Sequence, residues 1–422
     1  MKIADVLFAP GKGGFFFDDQ RAIKAGARSD GCTYAGDPVT AGFSAVRQAG
    51  ESVSVLLVLE DGQVAMGDCA AVQYSGAGGR DPLFLAAAFL PLLQERVRPL
   101  LMGRPVDGFR DNSAWFDTVR IDGTRLHTAL RYGVTQALLQ AQSLANGTTM
   151  AEVVAREWDL PLVLEPVPLF GQSGDDRYGT VDRMILKEVD ALPHALINHV
   201  GTKLGAHGEK LMEYMRWLVD RIHRVRRRED YQPDLHVDVY GTLGTAMAQR
   251  SSDIATYLAQ LGDAARGLRL YVEGPVDMGS RAAQIEVLAE IRHQLQKLDS
   301  PVRIVADEWC NTLEDIRLFA DSRCCHMVQI KTPDLGGIHN VVDSVLYCQA
   351  HGVESYQGGS CNETDLSARI CTQLALASRP QRLLVKPGMG FDEGFCVVNN
   401  EMMRTLTLMR GRAAATAASR NA

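Results

Sequence analysis

The sequence predicts an α/β protein in which a closed parallel β/α barrel follows an α+β domain. The 422 residues exceed one ordinary core but suit a barrel of about 250 residues with a further domain. From about residue 160, short β-branched runs alternate with amphipathic segments of helix length, as in repeated βα units. We therefore expect an α+β domain over residues 1–160, a barrel over 161–400 and a C-terminal tail over 401–422.

The first domain opens with a hairpin signal. Ser54 to Leu59 alternates apolar residues and is followed by the turn sequence Glu60-Asp61-Gly62, which predicts antiparallel strands. Helical periodicity follows from about Leu83 to Leu101 and from Leu126 to Leu144. The second helix should end at Asn146-Gly147, because glycine commonly follows the last turn.

Eight runs in the second part have strand character, and eight successive βα units favour a closed barrel over an open sheet. No Gly-x-Gly-x-x-Gly turn follows a run, which argues against a nucleotide-binding doubly wound sheet. The tail after Gly411 lacks large apolar residues and should fray. The runs are Val167 to Phe170, Ala195 to Asn198, Leu235 to Tyr240, Leu268 to Glu273, Val302 to Asp307, Met327 to Lys331, Val353 to Tyr356 and Leu383 to Val385.

Composition narrows the function classes. Hydrophobic residues make up 46% and charged residues 23%, as in soluble globular proteins. A net charge of −7 with interleaved signs does not favour a nucleic-acid partner. The longest apolar run, Pro82 to Leu93, is shorter than the roughly 20 residues of a membrane span. An acid interrupts the opening sequence Met-Lys-Ile-Ala-Asp-Val before a signal-peptide core could form, so we expect a cytoplasmic protein. The 9 cysteines show no Cys-x-x-Cys spacing, and neither a disulfide framework nor a zinc ribbon is expected.

Three consecutive strand runs end in a carboxylate: Asp238, Glu273 and Asp307. They are one βα repeat apart, so in a barrel they converge at one edge of the mouth. Converging carboxylates repel unless a cation lies between them, and a hard divalent ion such as magnesium fits oxygen ligands. The alternative is that each acid caps the next helix. That interpretation suits any one of them, but three in successive repeats, including a glutamate, favour a metal site.

The next run ends in Gln329 and Lys331, which share strand parity and should both face the interior. A divalent cation beside Lys331 would lower the pKa of its amine towards the range of a general base. The alternative is a plain ion pair with Asp307. A lysine beside a metal that holds a carboxylate suits removal of a proton next to that carboxylate.

Asp, Glu and Asp on successive strands followed by a lysine resembles the enolase superfamily. Five longer motifs are more specific: Gly-Gln-Ser-Gly-Asp-Asp-Arg at 171–177, Leu-Pro-His-Ala-Leu-Ile-Asn at 192–198, His-Val-Asp-Val-Tyr-Gly at 236–241, Val-Gln-Ile-Lys-Thr-Pro-Asp-Leu-Gly-Gly at 328–337 and Gly-Gly-Ser-Cys-Asn-Glu-Thr at 358–364. Together they resemble the methylaspartate ammonia-lyase family, up to about residue 400. That resemblance implies a modified TIM barrel with an N-terminal α+β capping domain. It also implies reversible elimination of ammonia from 3-methylaspartate to mesaconate in glutamate degradation, by a homodimer that uses Mg²⁺ and in which a monovalent cation such as K⁺ can take part.

The resemblance implies a role for each matching position. Asp238, Glu273 and Asp307 would hold magnesium, and Lys331 would take the C3 proton of the natural diastereomer. His194 would serve the other C3 configuration from the opposite face. On chemistry alone His199 is an equal candidate, and only the Leu-Pro-His-Ala context favours His194.

Further positions would bind the substrate. Gln172, Gln329 and Cys361 would hydrogen-bond its carboxylates, beside Ser360, where a relative's threonine is expected and the hydroxyl is kept. An apolar space for the 3-methyl group and the amine region would be lined by Phe170, Tyr356 and Leu384, which without the resemblance read as barrel-core residues.

The same residues allow three alternative functions. A retaining glycosidase could pair Glu273 with Glu354, but only 4 tryptophans are present and Asp238, Asp307 and Lys331 would have no role. Another enzyme of the superfamily, such as a racemase, should carry Lys-x-Lys on the second strand, where residues 195–203 read Ala-Leu-Ile-Asn-His-Val-Gly-Thr-Lys. A metal-stabilised barrel without activity needs no lysine beside the metal.

Overall fold

The computed structural model describes residues 1–77, 79–386, 388 and 390–420, with side chains to residue 415. Two π-helical turns lie at Leu93–Val97 and Val200–Leu204. The strands β1–β15 are Ile3–Asp18, Arg28–Asp30, Thr33–Ala35, Arg47–Leu59, Val64–Ala70, Arg120–Ile121, Thr124–Arg125, Leu169–Phe170, Ala191–Leu196, Asp234–Asp238, Leu270–Glu273, Arg303–Ala306, Met327–Ile330, Glu354–Gln357 and Arg382–Leu384. The helices α1–α15 are Gln20–Lys24, Ala86–Leu92, Arg98–Leu101, Phe109–Asp117, Thr128–Asn146, Met150–Glu157, Gly179–Leu186, Glu209–Val225, Thr242–Ala246, Ser251–Ala264, Arg281–Lys297, Leu313–Ser322, His339–Ala350, Asp365–Ser378 and Phe391–Arg420.

The first part of the chain is an antiparallel sheet covered by helices. Its strands lie in the order β1-β4-β5, with β4 and β5 joined by the predicted hairpin. Helix α5 packs directly on β5, where Gly133 meets the backbone of Cys69 so closely that a Cβ atom would collide with it. The helix ends at Gly147, whose φ of 60° is the left-handed conformation that glycine adopts easily.

The second part is the predicted closed barrel of eight parallel strands. Their order is β10-β11-β12-β13-β14-β15-β8-β9, so β15 closes onto β8 and β9 onto β10. A cluster of buried side chains fills the interior, as expected for a barrel of this size. The cluster consists of Phe170, Ala191, Tyr271, Val305, Met327, Tyr356 and Leu384.

The second barrel strand differs from the sequence prediction. The run predicted at Ala195 to Asn198 is β9, Ala191–Leu196, which begins four residues earlier. Pro193 concealed its start, because proline inside a run argues against a central strand. His194 has no partner in β10, since Pro193 pairs with His236 and Ala195 with Val237. His194 is therefore a bulge residue, with φ of 47°.

Two helical segments also differ. The helix predicted from Leu83 to Leu101 is divided into α2, a π-helical turn and α3. The tail expected to fray after Gly411 is helical, since α15 runs to Arg420 and buries Met402, Leu406 and Met409. Alanine favours helix most strongly, which suits the alanine-rich end of α15. All the described helices are too short or too polar to span a bilayer, and each of the 9 cysteines is a free thiol.

Candidate active site

The predicted acids and lysine lie together at one rim of the barrel. Asp238 and Glu273 are the last residues of β10 and β11, where they pair in register. Asp307 follows β12 directly, and Lys331 follows β13. Because the strands are parallel, these ends meet at the carboxyl rim, the face that carries active sites in such barrels.

Glu273 is the most strongly held of the three acids. It is fully buried and accepts hydrogen bonds from Tyr356 Oη at 2.9 and 2.8 Å. His236 Nε2 lies 2.7 Å from Glu273 Oε2, and His194 Nε2 lies 3.7 Å from it. Burial by itself raises the pKa of Glu273. The two histidines together lower the pKa by more than burial raises it, so the net shift is downward. Glu273 is therefore a carboxylate held in place.

Asp238 completes a group that could hold a metal ion. One ligand atom each from His194, Asp238 and Glu273 lies within 4.8 Å of the others. Tyr240 N donates a hydrogen bond to Asp238 Oδ1 at 3.1 Å. Burial raises the pKa of Asp238 well above its usual range, and the charges of Glu273 and Asp307 raise it further. A cation would relieve this repulsion.

Asp307 is outside that group and contacts the lysine instead. Lys331 Nζ lies 2.5 Å from Asp307 Oδ1. Burial raises the pKa of Asp307 to about 7, although Lys331 opposes the shift. The pKa of Lys331 is raised, because Asp307 and Glu308 outweigh its burial. The ion pair between Lys331 and Asp307, which was the alternative to a catalytic base, is thus present. A lowered pKa of Lys331 would require a positive charge beside it.

Unsatisfied polar atoms at the rim show that its residues fit a divalent cation and a polar ligand. His194 Nε2 and Gln329 Oε1 are buried without a hydrogen-bond partner in the described structure. Buried polar atoms are normally paired, so each unpaired atom needs an explanation. Carboxylates with such neighbours form the oxygen-rich donor set that magnesium prefers.

The candidate substrate-binding residues lie on the other half of the rim. Gln172 Nε2 donates to Val385 O at 2.8 Å. Ser360 Oγ accepts from Gln73 N at 3.2 Å, and Cys361 Sγ donates to Gln73 Oε1 at 3.0 Å. Sequence reasoning missed Gln73. It lies in a loop of the first part of the chain, and no spacing or motif signals its contact with the barrel.

Apolar residues lie next to these groups. The Phe170 ring stacks on His236 at 4.5 Å and meets the His194 ring edge-on at 5.2 Å. It contacts Tyr356 edge-on at 5.4 Å. Leu384 pairs in register with Phe170 and is 4% exposed. The rim therefore offers an aromatic and aliphatic wall beside its polar groups.

The positions of His199 and Glu354 decide between two pairs of alternatives that the sequence left open. His199 is exposed and accepts a hydrogen bond from Thr202 N, so of the two candidate histidines only His194 lies beside the acids. The pairing of Glu273 with Glu354 is wrong, because Glu354 begins β14 whereas Glu273 ends β11. In parallel strands these positions lie at opposite poles of the barrel.

The closed barrel, the α+β region and the rim of acids beside a lysine define a barrel enzyme with a candidate metal site at its carboxyl rim. The fold is shared with muconate cycloisomerase from Pseudomonas fluorescens, whose structure gives a TM-score of 0.58 at 15% identity and covers 89% of this chain and 84% of its own. Two family models match: methylaspartate ammonia-lyase N-terminus over residues 1–159 and methylaspartate ammonia-lyase C-terminus over 161–411. The chain belongs to the methylaspartate ammonia-lyase family.

Close relatives match almost the whole length of the chain. Methylaspartate ammonia-lyase of Citrobacter amalonaticus is 62% identical over 410 residues, which is 97% of this chain and 99% of that protein. Its crystal structure containing (2S,3S)-3-methylaspartic acid gives a TM-score of 0.96 at 61% identity, covering 97% of this chain and 100% of its own. The magnesium complex of β-methylaspartase from Clostridium tetanomorphum gives 0.94 at 54% identity, covering 98% and 100%.

Proposed function

We propose that the protein eliminates ammonia from 3-methylaspartate to give mesaconate, reversibly, with magnesium held at the rim. One arrangement carries the proposal. The three acids lie at the carboxyl ends of β10, β11 and β12. The candidate substrate-binding residues other than Gln329 lie on or after β14, β15 and β8, in the opposite half of the ring of strands. His194 on β9 and Lys331 after β13 stand at the two boundaries, four strands apart in either direction. Two proton-transfer groups can thus face one substrate from opposite sides.

The metal would be held by Asp238, Glu273 and Asp307. Bound magnesium would stabilise negative charge on the substrate carboxylate and favour the neutral form of the nearby Lys331. The structures of the relatives with magnesium and with 3-methylaspartic acid support both ligands.

Lys331 Nζ would accept the C3 proton of the natural diastereomer. The electrons of the C3–H bond would pass into an enolate-like anion on the adjacent carboxylate. Their return would form the C2–C3 double bond as the C2–N bond breaks and the substrate's ammonium group leaves as ammonia. His194 Nε2, which has no hydrogen-bond partner in the described structure, would serve the other C3 configuration.

The remaining residues would orient the substrate. Gln172, Gln329, Ser360 and Cys361 would bind its carboxylates, while Phe170, Tyr356 and Leu384 would enclose the 3-methyl group and the amine region. Reacting groups held at a fixed distance gain rate because the encounter no longer costs entropy.

The test is product identification. Protein loaded with magnesium is incubated with 3-methylaspartate, and the products are followed by ultraviolet absorbance, NMR and ammonia release. We expect mesaconate and ammonia in equal amounts, with slower turnover of aspartate, which lacks the methyl group. Folded, metal-loaded protein that forms no mesaconate would refute the proposal.

We also propose, from the family resemblance, that the protein is a cytoplasmic homodimer that acts in glutamate degradation. Its first domain would end at residue 160 and its barrel domain would begin at residue 161.

A further inference from the structure

Two oppositely charged side chains lie beside the site but have no part in the reaction described above. Glu363 and Lys386 are both 0% exposed, and Lys386 Nζ lies 2.9 Å from Glu363 Oε2. Removing two charges from water is costly, and replacing such a pair by apolar residues is often neutral or stabilising. A gain in stability alone therefore does not account for the pair.

The ammonium group of Lys386 joins the ends of three strands. Lys386 itself follows β15. Its Nζ donates to Thr332 Oγ1 at 2.9 Å and to Gly358 O at 2.8 Å. Thr332 comes directly after Lys331, and Gly358 directly after β14. With Glu363, these contacts use all three donors of the ammonium group.

Glu363 connects the ammonium group of Lys386 to the substrate-binding segment and to helix α5 in the first part of the chain. Its Oε2 accepts a hydrogen bond from Ser360 N at 2.9 Å, and its Oε1 accepts one from Tyr132 Oη on α5. Gly359 passes so close to the pair that a Cβ atom would collide with both charged groups. The backbone beside Ser360 and Cys361 is thus fixed by the carboxylate.

We propose that the Glu363–Lys386 ion pair is a positioning device that sets the distance between Lys331 and the Ser360–Cys361 segment. The inference rests on the proposed function, in which Lys331 takes the C3 proton and the Ser360–Cys361 segment binds a carboxylate of the same substrate. The polar atoms of both charged side chains are already taken up by partners within the protein, so neither is assigned a contact with the substrate. A displacement of about 1 Å at a reacting centre can cost about 100-fold in rate, and apolar side chains lack the directional bonds that prevent it.

The test compares two variants of the intact protein. Glu363→Gln/Lys386→Met removes both charges together. We expect it to fold, to lose at least about tenfold in kcat, and to show a smaller change in KM. The deuterium isotope effect at C3 should rise, because proton transfer becomes slower than the other steps. The matched control is Asp234→Asn, which removes the negative charge from the 3.3 Å ion pair with Arg382 at the other pole of β15. It should lower Tm while leaving kcat and the isotope effect at the parent values.

A second variant keeps the test decisive if the double variant does not fold. Thr332→Val removes the hydroxyl that links both Lys386 and Glu363 to the end of β13. It should lower kcat and raise the isotope effect with KM unchanged. Parent values of kcat and isotope effect in Thr332→Val, or in a folded double variant, would overturn the inference. So would an equal loss of kcat in Asp234→Asn. A parent protein that makes no mesaconate would instead refute the proposed function.

Discussion

Lys331 Nζ lies 2.5 Å from Asp307 Oδ1, across two strands that are neighbours in the barrel. The proposed base is thus paired with a proposed metal ligand. In the protein alone, the charges of Asp307 and Glu308 raise the pKa of Lys331. Neutralising Asp307 would remove part of that effect, so metal binding and base strength should depend on each other.

The first prediction concerns the two proton-transfer groups. His194→Ala should chiefly impair reaction of the C3 epimer, whereas Lys331→Ala should impair the natural diastereomer, each by about 10²–10⁴-fold. The measurement is amination of mesaconate followed by separation of the diastereomers. The control is His199→Ala, since His199 is exposed. If both site variants gave the parent's product ratio, the assignment to opposite faces would be wrong.

The second prediction concerns metal binding. Glu273→Gln removes charge while keeping volume, so the magnesium concentration for half-maximal activity should rise. Loss of a residue that only supports a metal ligand typically lowers metal affinity by about 10–100-fold. Loss of a ligand itself should raise the required magnesium concentration by at least as much. Glu354→Gln makes the same change at the opposite pole of the barrel and should leave metal affinity unaltered. Equal affinities in the parent and Glu273→Gln would exclude Glu273 as a ligand.

The third prediction concerns substrate size. Leu384→Ala should widen the apolar space and shift preference towards larger amines or 3-alkyl groups, because one methylene changes discrimination by about 1–3 kcal/mol. It should also lower the free energy of unfolding by about 2–5 kcal/mol. Leu383 is equally buried but belongs to the packing outside the barrel, so Leu383→Ala should destabilise without changing preference. Identical preferences in both variants would show that Leu384 does not line the pocket.

The fourth prediction concerns pH and stability. Burial lowers the pKa of His326 to about 4, and the charges of Arg292 and Arg303 add to the shift. Since the unfolded chain binds a proton at higher pH than the folded one, stability should fall as pH drops from about 6.5 to 4. His326→Asn keeps an acceptor for Ile304 N, which donates to His326 Nδ1 at 3.0 Å. Its Tm should fall less over this range. A parallel fall in the parent and the variant would contradict the assignment.

The barrel and its acidic rim could be predicted from sequence because both follow from local periodicity. Asp238, Glu273 and Asp307 end successive runs, and parallel strands bring their ends to one rim. The position of Glu354 could not be read in this way. It depends on whether a residue begins or ends its strand, and periodicity does not fix strand limits that closely.

Contacts between the two parts of the chain were hidden for a different reason. Gln73 reaches Ser360 and Cys361, and Tyr132 reaches Glu363, across separations of more than 200 residues. Such contacts arise from how one surface packs on another, which no local pattern records. His194 was found through its sequence context, whereas its bulged backbone was concealed by Pro193.

The most direct test of the account is the rate of ammonia release from 3-methylaspartate by the parent and by Lys331→Ala, each shown by metal analysis to hold magnesium. The account predicts that the parent is active only with magnesium and that the variant loses about 10²–10⁴-fold while keeping its metal. A metal-loaded Lys331→Ala protein with the parent's rate, or a parent that remains fully active after thorough chelation, would contradict it.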